Sequence, residues 1–425
     1  EIMNGVNVAD IDNRETIAAA IQTSSEDLIA ADKVALIISN CTYRHLPQLH
    51  TPHCDAESLA QALQEMHFKT VTLADLTLPE MRFVIQEYRR LLGNDVYAVL
   101  YFAGHGFEVN GQCYLLPVEA PLEAHAPEHC ISMDWVLAVL SDYSPALNLI
   151  LLDVCRKYIP MECITPFIAQ AEAYKNRHRP NRNTVYGYST SGGVGAYEVK
   201  GEVNGVFMKY LKRHLTAKAS VLDMLNAVLK DIEADDRVRD VQIPELRLTL
   251  TKPRSLTDQL IFDGHTISFD HHTIHWRLMH ELPTPVDVYF PEQQVAVTVW
   301  FSYIGHFTNK VYMFTSVYDL DGVPGECEDM PRQERALAFL AYLRFPPELE
   351  TTCVRVEHNE EEGVSLGMLL SHLQRSKGEI RCTVELAERR GDEAESDEIR
   401  KVVAMQEATI GHVLITRLEM FKTTG

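Results

Sequence analysis

Three long apolar runs, at 33–39 (KVALIIS), 96–103 (VYAVLYFA) and 147–154 (LNLILLDV), constrain this chain more than any other feature. None alternates apolar with polar residues, so strands made from them need cover on both faces. The segments between them have helical spacing. In 56–66, Leu59, Leu63 and Met66 share one face, and 79–92 and 133–140 behave alike. Further strands are expected at 68–73 and 184–189, and further helices at 205–215 and 221–232. Strands apolar on both faces, alternating with helices, make a mostly parallel sheet flanked by helices. This α/β unit is expected to close near residue 255, after a polar-faced lead-in helix at 13–30.

Beyond it the pattern changes. A connecting helix at 270–281 is stopped by Pro283 and Pro285. The runs 295–301, 311–317, 353–356, 380–386 and 412–418 alternate in the manner of strands and are split by turn residues, which predicts an all-β sandwich. Within it, 366–373 reads as a short helical connection and the acidic 391–398 as a solvated hairpin loop. The expected division is a lead-in at 1–30, an α/β domain at 31–262, a connecting helix at 263–283 and a β domain at 284–425.

Lys and Arg number 39 against 60 Asp and Glu, a net charge of −21 among 425 residues. That disfavours nucleic acid as a partner. It serves solubility first and favours cationic partners only weakly. No apolar run reaches the roughly 18 residues of a membrane span. The 9 cysteines are odd in number, irregularly spaced and without a CxxC, which fits a reducing compartment. The first residues carry neither a signal-peptide pattern nor an initiator Met, so a piece of a longer protein is expected.

In open parallel sheets, reactive side chains gather at the carboxyl ends of strands. Two such ends are Tyr101-Phe102-Ala103-Gly104-His105-Gly106 and Leu151-Leu152-Asp153-Val154-Cys155-Arg156. A free thiol is mostly protonated at neutral pH, and a nearby imidazole can take its proton and later protonate a leaving amine. The N–H groups of Gly106 and Cys155 are candidate oxyanion donors. Taken singly, Cys155 reads as a small buried hydrophobe and His105 as a loop histidine. Both directly following an apolar strand, they read as base and nucleophile. Their separation of 50 residues matches the caspase spacing.

The AGHG and LLDVCRK motifs, their order and the strands around them resemble clan CD cysteine peptidases, and most closely the animal paracaspases of the mucosa-associated lymphoid tissue type. The resemblance includes LPQLHTPHCDAESLAQAL at 46–63, YGYST at 186–190, NGVFMKYLK at 204–212 and WRLMHELP at 276–283. It implies a caspase-like domain followed by an immunoglobulin-like sandwich, with death and immunoglobulin domains upstream in the full-length protein. It also implies a cytoplasmic, cofactor-free endopeptidase of the NF-κB pathway. Such an enzyme is activated by homodimerisation through a sheet edge, with CARD-type adaptor and ubiquitin-ligase partners. True caspases carry Gln-Ala-Cys where this chain has Asp153-Val154-Cys155. Asp153 shares a strand face with Cys155. By resemblance Asp55, Asp153 and Glu198 line an acidic pocket for arginine at P1, and Trp276 packs at a regulatory joint between domains.

Other constellations are weaker. His50, His53 and Cys54, and His271, His272 and His275, lack a second half at zinc spacing, so no metal is expected. Gly192-Gly193-Val194-Gly195 lacks the Lys-Ser/Thr of a phosphate loop and reads as a mobile substrate-binding loop. A second function remains open: a signalling scaffold whose protease-like fold serves protein–protein interaction.

Overall fold

The computed structural model describes residues 28–174, 182–261, 283–302, 307–320, 334–347, 349–354, 365–375, 379–388 and 401–411. Five of the strands in its central sheet are the expected ones. Val96–Gly104 lies between Asp32–Ser39 and Leu147–Val154, Lys69–Ala74 continues on one side and Thr184–Tyr188 on the other, all parallel. Every residue of Asp32–Ser39 and Val96–Gly104 is buried, as two-sided cover requires.

Local chemistry fixes the helices. Pro52 opens Pro52–Glu65, where its missing N–H costs nothing. Glu80 Oε2 accepts the Thr77 N–H at 2.8 Å at the start of Leu78–Arg89. Ser132 caps Met133–Leu140 and Ser220 caps Val221–Ala234, each accepting an amide of the first turn. Val206–His214 packs beside Val221–Ala234 and buries Phe207 and Leu211. An additional helix, Thr165–Tyr174, buries Phe167 beside Tyr114.

Two strands of the sheet were not foreseen. Glu245–Leu248 pairs antiparallel with Thr184–Tyr188 at one edge. At the other edge Phe307–Thr308, from within the expected β domain, pairs parallel with Lys69–Ala74. Asn309 locks that junction: its Oδ1 accepts the Ala74 N–H at 2.9 Å and its Nδ2 donates to the Ala74 carbonyl at 2.7 Å. A small antiparallel sheet, Gly106–Val109, Gln112–Leu115 and Ile131–Ser132, covers the chain just after His105.

The C-terminal strands form two sheets. One has five strands, Val286–Phe290, Val295–Ser302, Val311–Asp319, Ser365–Ser371 and Glu350–Val354 in that order. The other has three, Phe339–Arg344, Ile380–Glu388 and Val402–Gly411. The helical reading of 366–373 is corrected. Ser365–Ser371 is a strand, because Leu366, Met368 and Leu370 alternate and the segment pairs on both sides. Residues 1–27 of the lead-in helix lie outside the described residues, and Ile29–Ala30 at its end is a strand paired with Gln259–Leu260. The connecting helix with Trp276, His271, His272 and His275, the 391–398 loop and the 412–418 run also lie outside them.

Candidate active site

His105 and Cys155 follow neighbouring parallel strands whose last residues, Gly104 and Val154, are register partners. The sheet therefore delivers both side chains to one edge of the molecule, although 50 residues separate them.

The imidazole of His105 is oriented by its surroundings. Its Nε2 lies 2.8 Å from the Pro47 carbonyl, so Nε2 carries the hydrogen and Nδ1 keeps its lone pair. Burial lowers the His105 pKa, while the Pro47 carbonyl and the charge of Glu198 oppose that shift. The ring is held as a neutral base.

Cys155 is half-buried. Its Sγ accepts the Ala196 N–H at 3.3 Å and faces the Ala196 carbonyl at 3.7 Å. Burial pushes the thiol pKa up, the Ala196 amide and Lys157 pull it down, and Asp153 raises it again. Upward wins, so the resting sulfur is a thiol. Its hydrogen-bond partner is the 192–196 segment, not His105.

That segment is built against the residue after the nucleophile. The Arg156 N–H donates to the Val194 carbonyl at 2.9 Å, and the Gly193 N–H donates to the Arg156 carbonyl at 2.8 Å. Gly193 has φ +84°, a left-handed conformation that suits glycine. The guanidinium of Arg156 is 1% exposed, pairs with Glu108 and Glu245 and lies over the Tyr188 ring.

The three acids converge around the start of Pro52–Glu65. Glu198 Oε1 accepts the N–H groups of His50 and Thr51 at 2.8 and 2.7 Å, where the helix presents free donors. Asp55, in the first helical turn, accepts Asn204 Nδ2 at 2.8 Å and the Gly205 N–H at 3.0 Å. Gly205 borders both inner acids: a Cβ there would meet Asp55 Oδ2 at 2.9 Å and Asp153 Oδ2 at 3.8 Å. Burial raises the Asp55 pKa and the neighbouring charge of Asp153 raises it further, against hydrogen bonds from Asn204, Gly205 and Thr51. Burial likewise raises that of Asp153, offset in part by the hydroxyls of Ser189 and Tyr101 and reinforced by Glu198. Among the described residues no Lys, Arg or His forms an ion pair with any of the three.

Sequence reasoning missed Pro47, Ala196 and Arg156. The first two act through backbone atoms and carry no side-chain signal. Arg156 stood in the quoted motif, but its burial was not legible there. The suspected His50, His53 and Cys54 trio does not converge as a metal site: His53 bonds Ser39 Oγ at 2.9 Å and Asp75 Oδ2 at 3.1 Å. Among the described residues no group of three metal-ligating side chains occurs, and no helix is long and apolar enough to cross a membrane. Among the described residues, seven cysteines, Cys155 among them, carry free thiols.

Comparison with known proteins places the chain in a family. The model of the caspase domain matches residues 32–254. The human mucosa-associated lymphoid tissue lymphoma translocation protein 1 (Homo sapiens) is 32% identical over 313 residues, 73% of this chain and 36% of that protein. The mouse homologue (Mus musculus) is 32% identical over 293 residues, 68% of this chain and 34% of that protein. The chain thus spans about a third of the length of these relatives. With the caspase-domain match covering more than half of its residues, the chain belongs to the caspase-domain family and, within it, to the paracaspases of the mucosa-associated lymphoid tissue lymphoma translocation protein 1 type.

Proposed function

We propose that this chain is a cysteine endopeptidase that cleaves peptide bonds after arginine. The observation that carries the reading is the convergence of Asp55, Asp153 and Glu198, with no paired cation among the described residues, beside the strand ends that bear His105 and Cys155. His105 Nδ1 takes the Cys155 proton and the thiolate attacks the scissile carbonyl carbon. The N–H groups of Gly106 and Cys155 receive the oxyanion, and the imidazolium then gives its proton to the leaving amine. Water, deprotonated by the same imidazole, releases the acyl group. A planar guanidinium offers five donors to the three carboxylates, a better match than the ammonium of lysine.

The resting thiol, bonded to Ala196 and not to His105, supports activation by assembly. The edge strand Glu245–Leu248 suits pairing with a second copy: it leaves Leu248 and nearby Ile243 43% and 52% exposed, and its Glu245 reaches Arg156 at 2.6 Å. The same resting geometry is what favours the alternative, a scaffold without turnover. The reading takes 31–262 as the peptidase unit and 284–425 as an immunoglobulin-like domain. It places the full-length protein in cytoplasmic signalling, with CARD-type adaptor and ubiquitin-ligase partners.

Four matched peptides differing only at P1 (Arg, Lys, Asp and Ala) test the proposal. The expected order is Arg, then Lys, then Ala, with Asp uncleaved, and no turnover by Cys155→Ala. Best cleavage of the Asp peptide returns the chain to aspartate-directed caspase chemistry. Labelling of Cys155 by an arginine-directed covalent probe separates enzyme from scaffold.

A further inference from the structure

We infer that Tyr43 is a positioning residue for His105, holding the imidazole by its backbone and by its ring at once. The inference rests on His105 being the proton carrier proposed above.

Tyr43 is 2% exposed, yet its hydroxyl is fully used. It accepts the His105 N–H at 2.7 Å and lies 3.2 Å from the Leu116 carbonyl, to which it donates. The Leu116 N–H in turn donates to the His105 carbonyl at 3.0 Å. Both backbone polar groups of His105 are therefore tied to the Tyr43–Leu116 pair, and the direction of its Cα–Cβ bond is fixed before any side-chain contact acts. The Tyr43 ring meets the imidazole with centroids 4.5 Å apart, tilted by 55°. Pro47, which takes Nε2, belongs to the same loop, and Gln48 Nε2 closes that loop by donating to the Tyr43 carbonyl at 2.5 Å.

Room for the hydroxyl comes from Gly104. A Cβ there would stand 2.6 Å from the Tyr43 oxygen. Such a distance admits no side chain without moving the hydroxyl away from His105. The glycine before the histidine thus has a reason independent of substrate access.

Each part of Tyr43 has its own chemical consequence. The hydroxyl sets where Nδ1 points. The ring, its centroid 4.5 Å from that of the imidazole, is close enough to favour the imidazolium that forms when the thiol gives up its proton. Removing the hydroxyl should misplace the base without altering substrate binding. Removing the ring should also lower the pKa of the base.

The test uses the whole chain and an arginyl fluorogenic peptide, with active sites titrated by a covalent arginine-directed probe. Tyr43→Phe should lower kcat per titrated site roughly tenfold and leave KM within about twofold. Tyr43→Leu should in addition move the acidic limb of the kcat/KM profile to lower pH. A merely structural tyrosine would lower the Tm and the titrated fraction while kcat per site and the pH profile stayed put, and that result overturns the inference. His105→Ala is measured alongside. If it retains turnover, the proton-carrier reading and this inference fall together. If it is inert while Tyr43→Phe matches the parent in kcat, only the role of Tyr43 falls.

Discussion

Two carboxylates, one buried and one half-buried, meet the first turn of the same helix, and they are treated in opposite ways. Asp75 faces His53, and Asp153 faces Asp55, two residues further along. Asp75 accepts His53 Nε2 at 3.1 Å and the N–H groups of Cys41 and Thr42 at 2.8 and 2.9 Å. Burial alone would raise its pKa, but His53 and those amides outweigh it and hold the carboxyl well below the usual range. Asp55 and Asp153 have hydrogen bonds or hydroxyls near them but no cation among the described residues, and each is pushed up by burial and by acidic neighbours. Asp75 is given hydrogen-bond donors that favour its charged form. Asp55 and Asp153 have no cationic partner among the described residues, and burying a carboxylate without one costs stability.

Substitution should break this contrast in a graded way. The largest effect belongs to Asp75. Asp75→Asn keeps a residue that tolerates the φ of +55° found there but removes the charge. It should cost about 2–3 kcal/mol of unfolding free energy at pH 7. Because the folded pKa of Asp75 is depressed, its contribution is present above the unfolded value near 4 and is lost as pH falls below it. The penalty in urea unfolding should therefore shrink towards pH 3; a pH-independent penalty would mean that packing, not charge, holds this corner.

Next in size is the effect of the pocket on catalysis. Asp153→Asn should lower kcat/KM for the arginyl peptide about 30-fold, or about 2 kcal/mol, while the alanyl peptide changes little. An equal fall for both peptides would assign Asp153 to the reaction and not to specificity. Smallest is the stability of the same variant, with the opposite sign to Asp75. The folded pKa of Asp153 is raised, so the folded state holds extra protons between about pH 4 and that raised value, and stability declines as pH rises through the window. Asp153→Asn should thus be more stable than the parent by about 1 kcal/mol at pH 8 and indistinguishable from it near pH 4. A loss of stability at pH 8 would show that the carboxylate already has a counter-charge.

Legibility in the sequence followed the nature of the signal. Leu147–Val154 and Met133–Leu140 could be read to the residue, since apolar patterning alone decides them and turn or capping residues bound them. His105 and Cys155 were visible because strand ends are where such folds do chemistry. Glu245–Leu248 was not, because an edge strand covered on one face needs no apolar run. Phe307–Thr308 is two residues long and pairs with Val71 and Thr72, a contact no local pattern encodes. Asp55 and Glu198 came only from the family resemblance, for the proposed pocket joins a helix start to a loop some 140 residues away. In 366–373, leucine content suggested a helix where the partner strands impose a period of two.

The added strand Phe307–Thr308 has a consequence for stoichiometry. An open sheet has two edges, and if both could recruit a copy of the chain, subunits would add without end. Here one edge terminates in two residues of the chain's own C-terminal region, locked by Asn309, with no further strand beyond among the described residues. Among the described residues the antiparallel Glu245–Leu248 strand forms the opposite edge. If the proposed homodimer joins like edge to like edge about a two-fold axis, that edge is used up in both copies and growth through the sheet stops at two.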